Sequence, residues 1–294
     1  MGLSHDPNWL RAGNWITKTD YADFAIVGVG ASKSALTPNR AFKTPNAIRE
    51  ALLKYSTYNA SQDIDLTKSL AAGDLGDVRK PDDQEYAITQ LSEFYNNAKS
   101  LVLLGGDNSI TYSGVSALFG KVKPNKIGVI TLDAHHDLRD GISNGSPIKQ
   151  LVDNGLPGKN IVQIGINDFA NSKFYAERAK KLGIKVIHRN EFSSTKPEAI
   201  ATKALKTLSN CTHIYLDIDM DVCDRSVVPA APAAMPGGIS ADQIKKVVYR
   251  IAKDKRVNHF DITELDATID SLDQRSISLA ALLILEIATA KAKR

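Results

Sequence analysis

Seven short runs of mostly apolar, β-branched residues punctuate this chain: Phe24 to Val29, Leu101 to Leu104, Lys126 to Leu132, Ile161 to Ile164, Ile184 to Ile187, His213 to Asp219 and Asn258 to Ile262. Most lack the polar alternation of a half-exposed strand. Each reads as a strand buried on both faces, and helices laid over both faces of a parallel sheet supply such cover. Helical patterns lie between them, at Thr44 to Ser56, Asp83 to Ala98, Ser172 to Leu182, Pro197 to Leu208 and Ala241 to Ala252. Thr44 followed by Pro45 predicts an N-cap with proline at the first helical position, and Ser240 with Gln243 predicts a capping box. The apolar run Leu279 to Ala290 is about 12 residues long and contains Glu286, short of the roughly 20 that span a bilayer. It reads as a buried C-terminal helix.

Strand followed by helix throughout predicts an α/β fold with helices on both faces of a doubly wound sheet. No long linker, internal repeat or low-complexity block divides the 294 residues, so residues 1–294 are expected to form a single domain. The Pro-, Ala- and Gly-rich stretch Val227 to Gly238 is then a loop inside that domain. The 37 basic and 33 acidic residues leave a net charge of +4 without a clustered Lys/Arg stripe, which argues against nucleic acid and membrane surfaces as partners. Cys211 and Cys223 are too few for a disulfide framework, and Met1 to Trp15 holds no apolar stretch of signal-peptide length. A cytoplasmic location is expected.

In open parallel sheets the ligand site lies beyond the carboxyl ends of the strands, and there the polar residues cluster. Directly after Ile127 to Leu132 come Asp133, Ala134, His135, His136 and Asp137. Alternate residues of an extended segment share a side, so Asp133, His135 and Asp137 point together and His136 points away. A second strand delivers Asp217, Asp219 and Asp221, with Asp224 three residues on. Crowding so many carboxylates costs several kcal/mol per unpaired buried charge unless cations neutralise them. Oxygen ligands with an imidazole suit a pair of Mn²⁺ ions. A third segment, Gly105, Gly106, Asp107, Asn108 and Ser109, lacks the lysine of a phosphate loop and reads as a turn aiming Asn108 at the same place. His188, His213 and His259 have no companion ligands and read as structural.

Together these segments resemble the ureohydrolase superfamily of arginases, agmatinases and formiminoglutamases. Its patterns Gly-Gly-Asp-His-Ser, Asp-Ala-His-x-Asp, Asp-x-Asp-x-x-Asp and a late Glu appear here, in order, as Gly105 to Ser109, Asp133 to Asp137, Asp219 to Asp224, and Glu264. The resemblance covers nearly the whole chain and implies a mostly parallel eight-stranded sheet between helices, with a binuclear manganese centre at one edge. Carried over position by position, Asp133 and Asp219 bridge both ions, Asp137 holds the first, and His135 with Asp221 completes the second. Asp217 falls outside. Where the family has a histidine for the first ion this chain has Asn108, whose carboxamide oxygen is a weaker ligand than imidazole.

Asp137, Leu138, Arg139, then Asn144, Gly145, Ser146 and Pro147, and later Asp224 with Arg225, resemble the formiminoglutamase branch. Arginases and agmatinases carry a histidine at the place of Asn144. The resemblance implies hydrolysis of N-formimino-L-glutamate to L-glutamate and formamide, by a hydroxide bridging two Mn²⁺ ions that attacks the formimino carbon. Asp137 is expected to carry the proton to the leaving nitrogen and Glu264 to orient the formimino NH groups. The substrate carries two carboxylates, for which Arg139 is the leading partner and Arg40 and Asn144 weaker ones. Hydrolysis of arginine, agmatine or guanidinobutyrate is the close alternative, and a catalytically silent binding subunit is an alternative of another class. Relatives often form trimers or hexamers, so a homo-oligomer is an expectation by resemblance.

Overall fold

The structure is a computed structural model that describes residues 6–294. The expectation for Met1 to Trp15 falls in part on residues 1–5, outside the described residues. After α1 (Ala12–Trp15), β1 (Thr17–Lys18), β2 (Ala22–Val29) and α2 (Thr44–Leu52) come a two-residue hairpin, β3 (Tyr58–Asn59) with β4 (Ile64–Asp65), then α3 (Leu66–Ser69) and β5 (Ala72–Asp77). The middle of the chain runs α4 (Gln84–Phe94), β6 (Ala98–Gly105), α5 (Ser109–Ser116), β7 (Ile127–Leu132), α6 (Pro147–Asp153) and β8 (Ile161–Ile166). It ends with α7 (Lys173–Leu182), β9 (Lys185–His188), α8 (Pro197–Thr207), β10 (His213–Asp219), α9 (Ala241–Ala252), β11 (Val257–Thr263) and α10 (Arg275–Ala292).

Nine strands form one sheet in the order β1-β5-β2-β6-β11-β10-β7-β8-β9, and every neighbouring pair is parallel. Side-chain alternation sorts its residues into two cores. Phe24, Ile26, Val102, Leu104, Ile130, Leu132, Leu216 and Ile218 pack under α2, α8, α9 and α10. The residues between them, among them Ala25, Val27, Leu101, Leu103, Val129 and Tyr215, pack under α4, α5, α6 and α7. The result is the expected three-layer arrangement. Beyond eight strands, it gains the two-residue edge strand β1.

Local chemistry explains where the elements begin and end. Ser240 caps α9 through a complete capping box with Gln243. At α2 the expected cap is shifted by one residue. Lys43 precedes the helix and Thr44 is its first residue, because the Thr44 hydroxyl is used elsewhere, donating to the Leu265 carbonyl at 2.5 Å. This ties α2 to the loop after β11. The pattern read as one helix from Asp83 to Ala98 stops at Phe94, since Asn96 and Asn97 turn the chain and Ala98 already opens β6. Asp83 caps that helix by accepting from the Tyr86 N–H at 3.2 Å. Leu279 to Ala290 lies inside α10, which packs on α2 and α9. Among the described residues no helix is long and apolar enough to cross a membrane.

The sheet order is what builds a site. β6, β11, β10 and β7 lie side by side, with Leu104 opposite Ile262, Ile262 opposite Ile218 and Ile218 opposite Leu132. Four chain segments far apart in sequence therefore leave the sheet at the same level, and the polar residues following each strand converge.

Candidate metal centre and its cavity

Leu132 is the last residue of β7, and the next side chain, Asp133, is fully buried at the sheet's carboxyl edge. Its Oδ1 accepts from the His135 N–H at 2.6 Å, while its Oδ2 is buried without any hydrogen-bond partner. His135 Nδ1 lies 2.9 Å from Asp221 Oδ2 and 3.5 Å from Asp133 Oδ1. Asp219, the last residue of β10, accepts from the Asp221 N–H at 2.9 Å, a turn that brings both carboxylates to one side. Two groups result, Asp133 with His135 and Asp221, and Asp133 with Asp137 and Asp219; within each, the ligand atoms lie within 4.8 Å of one another. Asp133 belongs to both. Asp219 falls in one group only.

Burial and mutual repulsion show in the protonation of these side chains. Burial, reinforced by the Asp221 charge, pushes the Asp133 carboxyl up to about 6. Asp137 and Asp219 are pushed well above the usual carboxylate range, first by burial and then by the neighbouring acids. His135 is raised to about 12, chiefly by the Asp221 charge against the opposing effect of burial. Asp221 is lowered: burial acts to raise it, but the His135 charge and the hydrogen bonds from His135 and the Ala134 N–H outweigh burial. A cluster that holds protons this tightly is one that attracts positive charge. Buried carboxylates with one imidazole, no thiolate and an orphaned oxygen fit divalent cations, and each of the two groups could hold one.

Glu264 follows β11 and enters the same space. Its Oε1 accepts from the Asn108 N–H at 2.7 Å and from Asn144 Nδ2 at 2.8 Å. Burial raises its carboxyl to about 8, against those two hydrogen bonds. Asp137 and Glu264 both have left-handed backbone, φ 52° and 61°. For a residue with a Cβ that conformation costs on the order of 1 kcal/mol, and its appearance at two site acids marks backbone bent to aim side chains.

Asn108 is placed otherwise than as a ligand. Its Nδ2 donates to Asp137 Oδ2 at 2.6 Å, and its Oδ1 faces the hydroxyls of Thr111 at 2.8 Å and Thr263 at 3.0 Å. The carboxamide oxygen therefore points away from the acids, and Asn108 grips Asp137. Asn144 likewise holds Glu264, while its Oδ1 accepts from the Leu36 N–H at 3.0 Å. Asp217 is buried beside Asp261 in the sheet register, outside both groups. Asp224 also lies apart, ordering its own loop through Ser226 and the Gly237 N–H. His136 turns away and its Nδ1 meets Gln163 Oε1 at 2.7 Å.

Asp137, Asp219, Asp221, Glu264 and His135 line a cavity of about 340 Å³ that Arg139, Asn144, Asn171, Tyr175 and Leu36 also line. Arg40 is exposed and does not line it; its N–H donates to Asp266, and Asn39 reaches the cavity instead. Several supporting residues went unread in the sequence. Gln163 could have been found as the lone amide inside the apolar strand β8, and Thr111 as the residue one helical turn after Asn108. Nothing local marks Thr263 or Tyr175.

Residues 22–289 match the description of the arginase family. The formimidoylglutamase of Halalkalibacterium halodurans is 35% identical over 275 residues, covering 89% of this chain and 85% of that protein. The Bacillus subtilis formimidoylglutamase is 31% identical, covering 88% and 85%. The crystal structure of formimidoylglutamase from B. subtilis superposes with a TM-score of 0.92 at 29% identity, over 99% of this chain and 94% of that one. A Trypanosoma cruzi formiminoglutamase solved with Mn²⁺ shares the fold, with a TM-score of 0.86 at 21% identity over 98% of this chain and 99% of that one. Strand order, converging acids and sequence agree: the chain belongs to the arginase family.

Proposed function

We propose that this chain hydrolyses N-formimino-L-glutamate to L-glutamate and formamide, with two Mn²⁺ ions per chain as cofactor. The observation that carries the reading is the make-up of the cavity, which joins several acids and the guanidinium of Arg139, in a protein with formimidoylglutamases among its relatives at 30 to 35% identity. A cationic formimino head and a carboxylate tail match that make-up.

Asp133, His135 and Asp221 would hold one ion and Asp133, Asp137 and Asp219 the other. Bound there, the ions supply a water of lowered pKa and charge to stabilise the tetrahedral intermediate. The remaining work falls to side chains. Glu264, held by Asn108 and Asn144, presents a carboxylate to the formimino NH groups, and the cation beside it favours the ionised form. Asp137, held by Asn108 Nδ2, is positioned to pass a proton to the leaving α-nitrogen of glutamate. Asn108 is thereby a positioning residue for both acids. Arg139 takes a carboxylate of the substrate.

Guanidino hydrolysis fits less well, because the position where arginases carry a histidine holds Asn144, which has no titrating group to lend a leaving amine and is engaged by Glu264 and Leu36. The test is a substrate panel at measured manganese content. Formamide and glutamate should appear in equal amounts from formiminoglutamate, with arginine and agmatine left intact. Turnover of either guanidino compound in its place refutes the reading.

A further inference from the structure

Arg139 is held in an unusual way. Its guanidinium lines the cavity, is the one Arg or Lys side chain among the lining residues, and makes no hydrogen bond or ion pair among the described residues. Nearby Arg178 is fully engaged, with two bonds to Asp140 at 2.8 and 3.1 Å and one to the Leu138 carbonyl at 2.7 Å. A flexible side chain with no polar anchor would ordinarily sweep solvent, losing the rotamer entropy on each binding event.

Two contacts restrict it. The guanidinium carbon lies 6.0 Å from the ring centroid of Tyr175, within cation–π range. On the other hand, a Cβ at Gly145 would lie 2.9 Å from Arg139 Cδ and 3.1 Å from Nε, so the stem of Arg139 lies in the space that only glycine leaves open. The two backbones are also joined, the Arg139 N–H donating to the Gly145 carbonyl at 3.0 Å. The ring of Tyr175 also has the guanidinium of Arg178, paired with Asp140, at 5.7 Å.

We infer that Gly145 and Tyr175 are positioning residues that hold Arg139 ready for a carboxylate, so that this cavity selects amidines carrying a carboxylate tail. The choice of a glutamate-like tail rests on the function proposed above. The ring of Tyr175, rather than its hydroxyl, does the holding, and the missing Cβ at position 145 sets where the guanidinium ends.

The test measures L-glutamate binding to the Mn²⁺-loaded protein by calorimetry, and steady-state kinetics on formiminoglutamate, for Tyr175→Leu, Tyr175→Phe and Gly145→Ala. A cation–π contact between an exposed guanidinium and a half-buried ring accounts for a change of about two- to fivefold. Tyr175→Leu and Gly145→Ala should each raise the glutamate Kd and the substrate KM by about that factor or more, with kcat and Mn²⁺ affinity within twofold of the parent; Tyr175→Phe should restore parental values. An unchanged Kd in Tyr175→Leu or Gly145→Ala, or a Tyr175→Phe as weak as Tyr175→Leu, overturns the inference, as does a parent protein that fails to bind glutamate. A parent that binds glutamate in this Tyr175- and Gly145-dependent way but leaves formiminoglutamate intact supports the inference and removes the proposed reaction instead.

Discussion

Replacing Asp133 by Asn should stabilise the metal-free protein and abolish its stabilisation by metal. The carboxyl is raised from 3.8 to about 6 in the native state, so the native state binds this proton more tightly than the unfolded chain does. The resulting penalty is absent below about pH 4, grows as pH rises through the window to about 6, and is constant above it, at ~3 kcal/mol. Burial is the larger cause of that penalty and repulsion by the Asp221 charge the second. Asn keeps an oxygen for the His135 N–H and offers its NH₂ to the neighbouring acids, so little else is lost. Urea denaturation in chelator should show Asp133→Asn ahead of the parent by up to ~3 kcal/mol near pH 8 and level with it near pH 4. Saturating Mn²⁺ should close that gap, because only the parent gains the ~3 kcal/mol that ligand at about 100 times Kd confers. A variant less stable than the parent in chelator near pH 8, or a parental Mn²⁺ shift retained in the variant, refutes the reasoning.

Other perturbations probe the scaffold. Gly106→Ala would set a Cβ 1.9 Å from the Ala31 carbonyl oxygen and 2.6 Å from its nitrogen, both main-chain atoms; a loss of ~3 kcal/mol and weakened Mn²⁺ binding are expected, read from urea midpoints and metal titration. Arg49→Met should cost about 2 kcal/mol, since Arg49 pairs with Asp74 at 2.7 Å and with Asp77 at 2.8 Å and joins α2 to β5; a double-mutant cycle with Asp74→Asn should return most of that as coupling. His259, lowered to about 3 by burial and then by nearby cations, packs 4.1 Å from the Tyr95 ring. Its native pKa lies below its unfolded value, so the neutral ring's contribution is complete above about pH 6.5 and fades as pH falls toward about 3. His259→Phe should therefore flatten the acid limb of stability by a few kcal/mol, and an unaltered acid midpoint would count against this account.

What the sequence revealed and concealed follows from how local each signal is. β7 is apolar almost throughout and β10 mostly so, and acids follow each, so the strands and the shared side of Asp133, His135 and Asp137, and of Asp217, Asp219 and Asp221, are legible from period-two alternation, while leaving Asp217 out took the family pattern. β5 is Ala-Gly-Asp-Leu-Gly-Asp, a composition with poor strand propensity, and it becomes a strand because β2 and the short β1 pair with it. α5, rich in Ser, Thr and Gly, is helical because its apolar positions Ile110 and Val115 pack under the sheet. At the site, spacing says that Asn108 reaches the acids. It does not say which end of the amide faces them, and Thr111 and Thr263, distant in sequence from one another, decide that. Arg40, the weaker candidate, lies outside the cavity for a similar reason: its N–H is held by Asp266, more than two hundred residues away.

The place of β10 and β11 between β6 and β7 also bears on how the protein is made. A ribosome releases β6 and β7 early, yet they have no edge in common; the gap between them is filled only when the last third of the polypeptide emerges. Until that late insertion the half-built sheet presents two unpaired apolar margins, the kind of edge at which partly folded chains aggregate. Capture of the proposed ions would then be a terminal event of biosynthesis, and a product cut short before Asp219 would lack Asp219 and Asp221, one acid from each of the two groups.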